Sequence, residues 1–379
     1  MATTGRGTTV HIVNRMAPGG IETLVLDLLG SCEDGERAVV VSLEGERDGL
    51  VEAWPELQPH RDRVFGMGAG PGRRFGIVPS LTKVLFRLRP ARVFVHHIGP
   101  LLYGGLATRL ALVPRLIHVE HDVWHYEQAA SHQRILGWCE RLLRPHHFAV
   151  SRPIAWRLQE LLPAVSVDVV PPGVDLQRFH PERRDAARAS LGIDGNTRLI
   201  GTVGRLDPVK GQQFLIGALA RLEGDCTLVL AGEGSERTRL EDCARALGVT
   251  ERCRFLGHRD DVADILPGLD VFALPSLNEG LPRAVLEAQA AGVPVVASRV
   301  GALAEAIAPG TGRLVPAGDA AALAAALDEV LREPRPRNAI AVETRAFIAA
   351  NYDFAHIRRR YAPEAVRSHG RALTHTQSV

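Results

Sequence analysis

Apolar and polar positions along the chain fall into one recurring phrase: a short β-branched run, a break rich in Gly, Pro, Ser or Asn, then a longer stretch with apolar residues at helical spacing. In the first half the runs at 8–14, 37–43, 64–67, 93–96, 116–121, 148–150 and 167–170 predict strands. The periodic stretches at 21–29, 78–89, 101–112, 129–143 and 154–162 predict the helices between them. Pro171-Pro172-Gly173 stops the series, and 175–188 reads as a charged connector. The phrase then starts again, with strands at 199–203, 227–231, 254–256, 271–274, 293–297 and 312–315. Helices are expected at 212–222, 236–247, 261–266, 283–291 and 320–331, with a helical tail in which Arg358-Arg359-Arg360 reads as a solvated face. Strand and helix in strict alternation, twice over, is the pattern of two doubly wound parallel sheets. The expected division is 1–175, 176–350 and a terminal helix or tail, 351–379, returning toward the first domain.

Within this pattern the stretch 274–296 is the most informative. An apolar strand ends at Pro275, loop formers run to Gly280, and Pro282 suits a helix first turn because its missing N–H costs nothing there. The start of that helix, around Gly280, Leu281 and Pro282, offers a positive pocket for phosphate. Glu279 lies ahead of it and Glu287 about a turn further in, where one can take sugar hydroxyls and the other a ribose diol. A phosphate pocket with a carboxylate on either side is the outline of a nucleotide-sugar site. Earlier in the chain, Gly19-Gly20 follow the first strand at what should be the carboxyl edge of a sheet. They permit close backbone approach but do not form G-x-G-x-x-G, so a dinucleotide cofactor is not indicated.

Composition adds four constraints. A length of 379 residues, 46% hydrophobic, suits two domains that each bury a core. The net charge of +2 argues against nucleic acid as a partner. Ten basic residues (Arg61, Arg63, Arg73, Arg74, Lys83, Arg87, Arg89, Arg92, Arg109 and Arg115) against the single acid Asp62 give 61–115 a net +9, leaving the remainder at −7. That asymmetry suits an anionic surface or a phosphorylated acceptor. Five unpaired cysteines, no apolar h-region and no membrane-length apolar run lead us to expect buried thiols and a cytoplasmic protein, at most peripheral to the inner face of a membrane.

Lysine occurs only at 83 and 210, and Lys210 sits in Gly204-Arg205-Leu206-Asp207-Pro208-Val209-Lys210-Gly211 directly after a strand. Together with Glu279-Gly280-Leu281-Pro282-Arg283-Ala284-Val285-Leu286-Glu287, this octapeptide resembles the retaining glycosyltransferases of family 4, which have the GT-B fold. Ala231–Gly234, the run Phe255–Val262 and Gly312–Asp319 are similar to the same family, as is Gly19-Gly20-Ile21-Glu22 in the first half. The resemblance implies two facing Rossmann-like domains with a cleft between them. It implies that Arg205 and Lys210 bind the donor diphosphate, Glu279 the sugar and Glu287 the ribose. The backbone of Gly280, Leu281 and Pro282, with Gly19 and Gly20 from the opposite side, would close on the donor, and Gly257, His258 and Arg259 would line its site. Catalytic roles fall to Arg205, Lys210, Glu279 and a cleft histidine. For the last, His121 lies nearer the carboxyl end of its strand than His118 and is the preferred candidate, with His118 the alternative.

His118 and His121, three apart on a strand, face opposite sides, which is poor zinc geometry. With no D-x-D after a strand and two fixed cations present, no metal and no cofactor are expected beyond the nucleotide sugar itself. The expected activity is metal-independent transfer of a sugar to an acceptor hydroxyl in polysaccharide or glycolipid assembly. A nucleotide-sugar epimerase, or a transferase acting on a soluble secondary metabolite, is the alternative.

Overall fold

The computed structural model describes residues 7–33, 35–70, 75–194 and 197–361. Seven parallel strands form the first sheet: β1 (Thr8–Val13), β2 (Arg37–Glu44), β3 (Val64–Ala69), β4 (Arg92–His96), β5 (Arg115–Glu120), β6 (His146–Ala149) and β7 (Val167–Val169), in the order β3-β2-β1-β4-β5-β6-β7. Six more form the second: β8 (Arg198–Val203), β9 (Cys226–Ala231), β10 (Cys253–Gly257), β11 (Val271–Leu274), β12 (Val295–Ser298) and β13 (Arg313–Val315), ordered β10-β9-β8-β11-β12-β13. Both sheets are α/β and Rossmann-like, and in each the strand order reverses beside the first strand, between β1 and β4 and between β8 and β11. Ligands of such sheets bind at the carboxyl ends at that reversal, because the flanking loops diverge there and leave a crevice.

The inner strands are apolar on both faces because helices cover both. All residues of β4, β9, β11 and β12 are buried. Helices cover them for local reasons that are readable. The Asp319 side chain accepts from the N–H groups of Ala321 and Ala322, both at 2.9 Å, capping the Ala-rich helix Ala320–Leu331. Pro282 stands immediately before the first helical residue of Arg283–Ala290.

Several elements depart from expectation. Arg184–Ser190 is a helix rather than connector, and it belongs to the second domain. Arg184 and Arg188 reach Asp270 at 2.6 and 3.3 Å and donate to the Gly268 carbonyl, so charged residues that read as solvated linker are anchoring groups. The short helices Arg47–Ala53, Trp124–Gln128 and Leu303–Ala306 have too few turns to show a period. All five cysteines are free, but only Cys139 and Cys226 are buried, the other three being partly exposed.

The tail is the link between the halves. Helix Arg337–Tyr352 packs on the second domain, where Ala341 lies against Gly292. The chain then crosses over, and Phe354–Tyr361 packs on the first domain. Tyr361 is buried against Phe94, Phe148 and His11, and its carbonyl accepts from Arg92 at 3.3 Å. Arg358 of the supposed solvated face is bonded to Glu33 and to the Ser31 carbonyl (3.2 Å). Where the chain passes between domains its two strands touch: Val174 and Asp353 form a parallel bridge, with Val174 N–H on the Tyr352 carbonyl at 2.8 Å and Phe354 N–H on the Val174 carbonyl at 3.1 Å. A Cβ on Gly173 would sit 2.6 Å from the Phe354 Cα.

The basic region is divided by the fold. Arg92 is buried, Arg109 donates to the Leu143 carbonyl at 2.8 Å, and Arg63 to the Leu29 carbonyl at 2.7 Å, so these three serve the interior rather than a surface field. Arg73 and Arg74 lie outside the described residues. Lys83, Arg87 and Arg89 are exposed on and just after helix Val78–Leu88. Among the described residues no helix is long and apolar enough to cross a membrane.

Candidate active site

Loops from the carboxyl ends of both sheets meet. On the second domain, the turn after β8 carries Arg205 and Lys210, and the loop after β11 carries Ser276 to Pro282. Their backbones are stitched together: Leu277 N–H donates to the Val209 carbonyl at 2.8 Å, and a Cβ on Gly211 (φ 64) would collide with the Pro275 carbonyl. Only glycine allows that approach, and it brings Lys210 Nζ to 2.6 Å from Glu279 Oε1, which also accepts from Ser276 Oγ at 2.7 Å. Glu279 is 8% exposed and Lys210 21%. Arg205 is 65% exposed, its guanidinium 2.8 Å from Asp207.

The first domain faces this pair with Gly19 and Gly20 at the start of helix Gly20–Gly30. A Cβ on Gly20 would meet no protein atom within 4 Å, so its face is open to a ligand, while one on Gly19 would sit 2.6 Å from Glu22 Oε2. Burial pushes the Glu22 carboxyl up to about 7, against the pull of its own backbone N–H, His97 and Arg205. Glu22 therefore lies within electrostatic reach of both domains' cations, a position that its place in a helix first turn did not disclose.

Behind Glu22 lies a group that the sequence did not assemble. His97 has φ 71, a left-handed conformation costly for a residue with a Cβ, and its Nδ1 lies 2.6 Å from Glu120 Oε1. Burial opposes its charge, but the Glu120 hydrogen bond and carboxylate, with Asp122 and Glu22, raise it to about 9. Glu120 is fully buried, accepts from Tyr126 Oη at 2.6 Å, and is held well below the usual carboxylate range by His118 and His97 despite its desolvation. Two adjacent histidines, 96 and 97, at the end of an apolar strand were the available signal; the carboxyl-edge argument applied to His121 picks them out equally.

His121 is partly exposed, its Nε2 2.9 Å from His96 Nδ1. His118 is fully buried with its Nδ1 3.1 Å from His147 Nδ1, so of the two it is the core residue. Burial, then the His97 charge, pushes His121 well below the normal histidine range. The domains touch at this point, since a Cβ on Gly280 would collide with the His121 carbonyl, and Gly301 (φ 53) is packed as closely on the Glu279 carbonyl. Leu281 is buried beside them, and Ala302 N–H donates to the Gly280 carbonyl at 3.0 Å.

Two predicted groups stand differently from expectation. Glu287 is not free: its carboxylate lies 3.4 Å from Arg283 Nε, and Arg283 in turn binds Asp27 of the first domain at 2.6 Å. Burial raises the Glu287 carboxyl while Arg283 opposes that rise. The motif holds both Glu287 and Arg283 but not Asp27, which lies 256 residues from Arg283 in sequence, on the other domain. Gly257 ends β10, the edge strand, two strands from β8, and His258 and Arg259 follow it. His258 pairs with Asp260 at 2.9 Å and Arg259 with Asp261 at 2.7 and 2.5 Å, without contact to Lys210 or Glu279.

Two Rossmann-like domains, with cations and carboxylates gathered at both strand-order reversals, define a GT-B protein. Family models agree over nearly the whole chain: "Glycosyltransferase Family 4" matches residues 18–178 and "Glycosyl transferases group 1" matches 183–347. The chain belongs to this glycosyltransferase family. The D-inositol 3-phosphate glycosyltransferase of Mycolicibacterium smegmatis is 37% identical over 198 residues, 50% of this chain and 45% of that protein. The enzyme of that name from Mycolicibacterium vanbaalenii is 37% identical over 284 residues, 67% of this chain and 61% of that one. The match thus spans about half the length of these curated relatives. Among solved structures, Anabaena HepE in complex with UDP and glucose superposes with a TM-score of 0.80 at 23% identity, covering 94% of this chain and 98% of its own. Sucrose-phosphate synthase from Thermosynechococcus elongatus gives 0.78 at 22% identity, covering 94% and 97%.

Proposed function

We propose that this protein transfers a sugar from a nucleotide-sugar donor to an acceptor hydroxyl, with retention at the anomeric carbon and without a metal ion on the leaving diphosphate. The observation that carries this reading is the Lys210–Glu279 pair at 2.6 Å, set with Arg205 at the second sheet's reversal. Breaking a glycosyl–phosphate bond leaves negative charge on the diphosphate, and preorganised cations stabilise that charge as it forms. Lys210 and Arg205 take this role, Glu279 holds sugar hydroxyls, and Gly19-Gly20 admit the diphosphate from the opposite side. Glu287 binds ribose once it is released from Arg283. His121, at the contact between domains, is the cleft histidine. The acceptor hydroxyl attacks from the face the donor leaves, its proton passing to the departing phosphate. HepE, with UDP and glucose bound, supports a nucleotide-sugar donor, as do relatives named for glycosyl transfer to inositol 3-phosphate.

For the acceptor we favour a lipid-linked or polysaccharide chain at a membrane surface. Lys83, Arg87 and Arg89 are exposed beside Phe86, and the neighbouring helices Ile98–Leu110 and Ala130–Leu143 carry exposed Leu110, Trp138 and Leu142, with Leu112 just beyond. Basic residues interleaved with exposed aromatic and aliphatic ones suit an anionic bilayer surface. A panel of nucleotide sugars tests the central claim. Release of nucleoside diphosphate with one or more donors supports it; epimerised sugar or binding without turnover overturns it.

A further inference from the structure

Beside His121, the carboxyl ends of β4 and β5 bring together His97, Asp122 and His125. One ligand atom from each lies within 4.8 Å of the others. Asp122 Oδ1 is 2.9 Å from His125 Nδ1, and Asp122 Oδ2 is 3.7 Å from His97 Nε2. The opposite nitrogen of each ring faces one buried carboxylate: Glu120 Oε1 is 2.6 Å from His97 Nδ1, and Glu120 Oε2 is 3.9 Å from His125 Nε2. That His125 nitrogen is buried without a hydrogen-bond partner.

We propose that His97 Nε2, His125 Nδ1 and the Asp122 carboxylate form a binding site for a divalent ion of the zinc class. A metal-bound imidazole ordinarily gives its second nitrogen to a carboxylate, which fixes the ring and makes the ligand nitrogen more basic. Glu120 does this for His97, and it stands 3.9 Å from the unpartnered His125 Nε2, which a small rotation of that ring on binding an ion would bring into hydrogen-bond range. Two carboxylates around the pair match the charge of a dication. Two histidines and one carboxylate leave a position for water or an anionic oxygen, the ligand set of open zinc sites. His97 holds a left-handed backbone (φ 71) at the end of the strand next to the one that leads to Asp122. All three side chains are partly exposed, so an ion can enter from the cleft. The set escapes a sequence reading because His97 comes from β4's end and the other two from β5's.

The test uses the full chain after chelation and dialysis. Zinc titrated calorimetrically should bind at one equivalent. Asp122→Asn, His125→Asn and His97→Ala should each weaken binding by tenfold or more, and Glu120→Gln by about tenfold. Asp122 is part-exposed, so Asp122→Asn keeps the fold, which an unchanged apo melting temperature verifies. Cobalt gives a second readout: the protein should develop the visible absorption of a four- or five-coordinate ion, and Asp122→Asn should not. Absence of saturable binding overturns the proposal. So does binding that is indifferent to Asp122→Asn and His125→Asn, which assigns the ion to other histidines. Neither readout involves glycosyl transfer.

Discussion

Removing the charge on Lys210 separates two roles that the 2.6 Å contact with Glu279 combines. In Lys210→Met the carboxylate of Glu279, 8% exposed, keeps only the Ser276 hydroxyl. Stranding one member of a buried pair costs about 3–5 kcal/mol, and the 21% exposure of Lys210 brings the expected loss to roughly 2–3 kcal/mol. For a domain of this size that is a fall of about 4–12 °C in melting temperature, at about 2–4 °C per kcal/mol. Adding Glu279→Gln removes the stranded charge, so the double variant should regain most of the melting temperature. Turnover should not follow. A missing electrostatic stabiliser of a leaving group costs on the order of 10²–10³ in rate, and the neutral pair cannot restore it. Melting curves and nucleoside diphosphate release on the four members of the cycle decide the matter. If Lys210→Met/Glu279→Gln recovers turnover along with stability, the lysine serves only to neutralise Glu279 and the assignment to the diphosphate fails.

Gly280→Ala drives a methyl into the His121 carbonyl across the domain contact, so turnover should drop by at least tenfold while donor affinity, measured calorimetrically, changes less. Turnover should survive EDTA, since Arg205 and Lys210 supply the positive charge; abolition with rescue by Mn²⁺ or Mg²⁺ would reverse that reading. Sedimentation with anionic vesicles at low salt should recover the protein, and Lys83→Gln, Arg87→Gln and Arg89→Gln together should release it, each basic residue near such a surface being worth about 1 kcal/mol; equal behaviour with neutral vesicles removes the membrane from the account. Tyr361→Ala should cost about 3–5 kcal/mol by emptying the space between Phe94, Phe148 and His11, read as a lowered melting temperature.

The sheets were legible because their strands are buried on both faces and so appear as unbroken apolar runs between glycine and proline. Lys210 and Glu279 were legible for a related reason: each follows such a run directly, on the sheet's carboxyl edge. What stayed hidden depends on pairing across long sequence separations. Arg283 reads as a helix-surface arginine until Asp27 closes on it from the other domain. Glu120 reads as a strand-end acid until the fold surrounds it with His97, His118 and Tyr126. The net charge of 61–115 misled in the opposite sense, because a sum over sequence cannot register that Arg63, Arg92 and Arg109 bond to carbonyls of the interior.

The paired crossing at Val174 and Asp353 has a mechanical consequence. A single linker would leave two domains tethered, free to twist and slide as well as separate. Two linkers riveted side by side, each gripping both halves, remove most of those freedoms and leave a rotation about the rivet. Opening about that rivet would have to release grips between the halves, among them Arg283 on Asp27, the Glu305 carboxylate on the Arg152 N–H, and Gly280 on His121. Clipping the chain within Phe354–Tyr361 would change the joint from a pin to a string, and would also take from the first domain the Tyr361 ring that packs on Phe94 and Phe148.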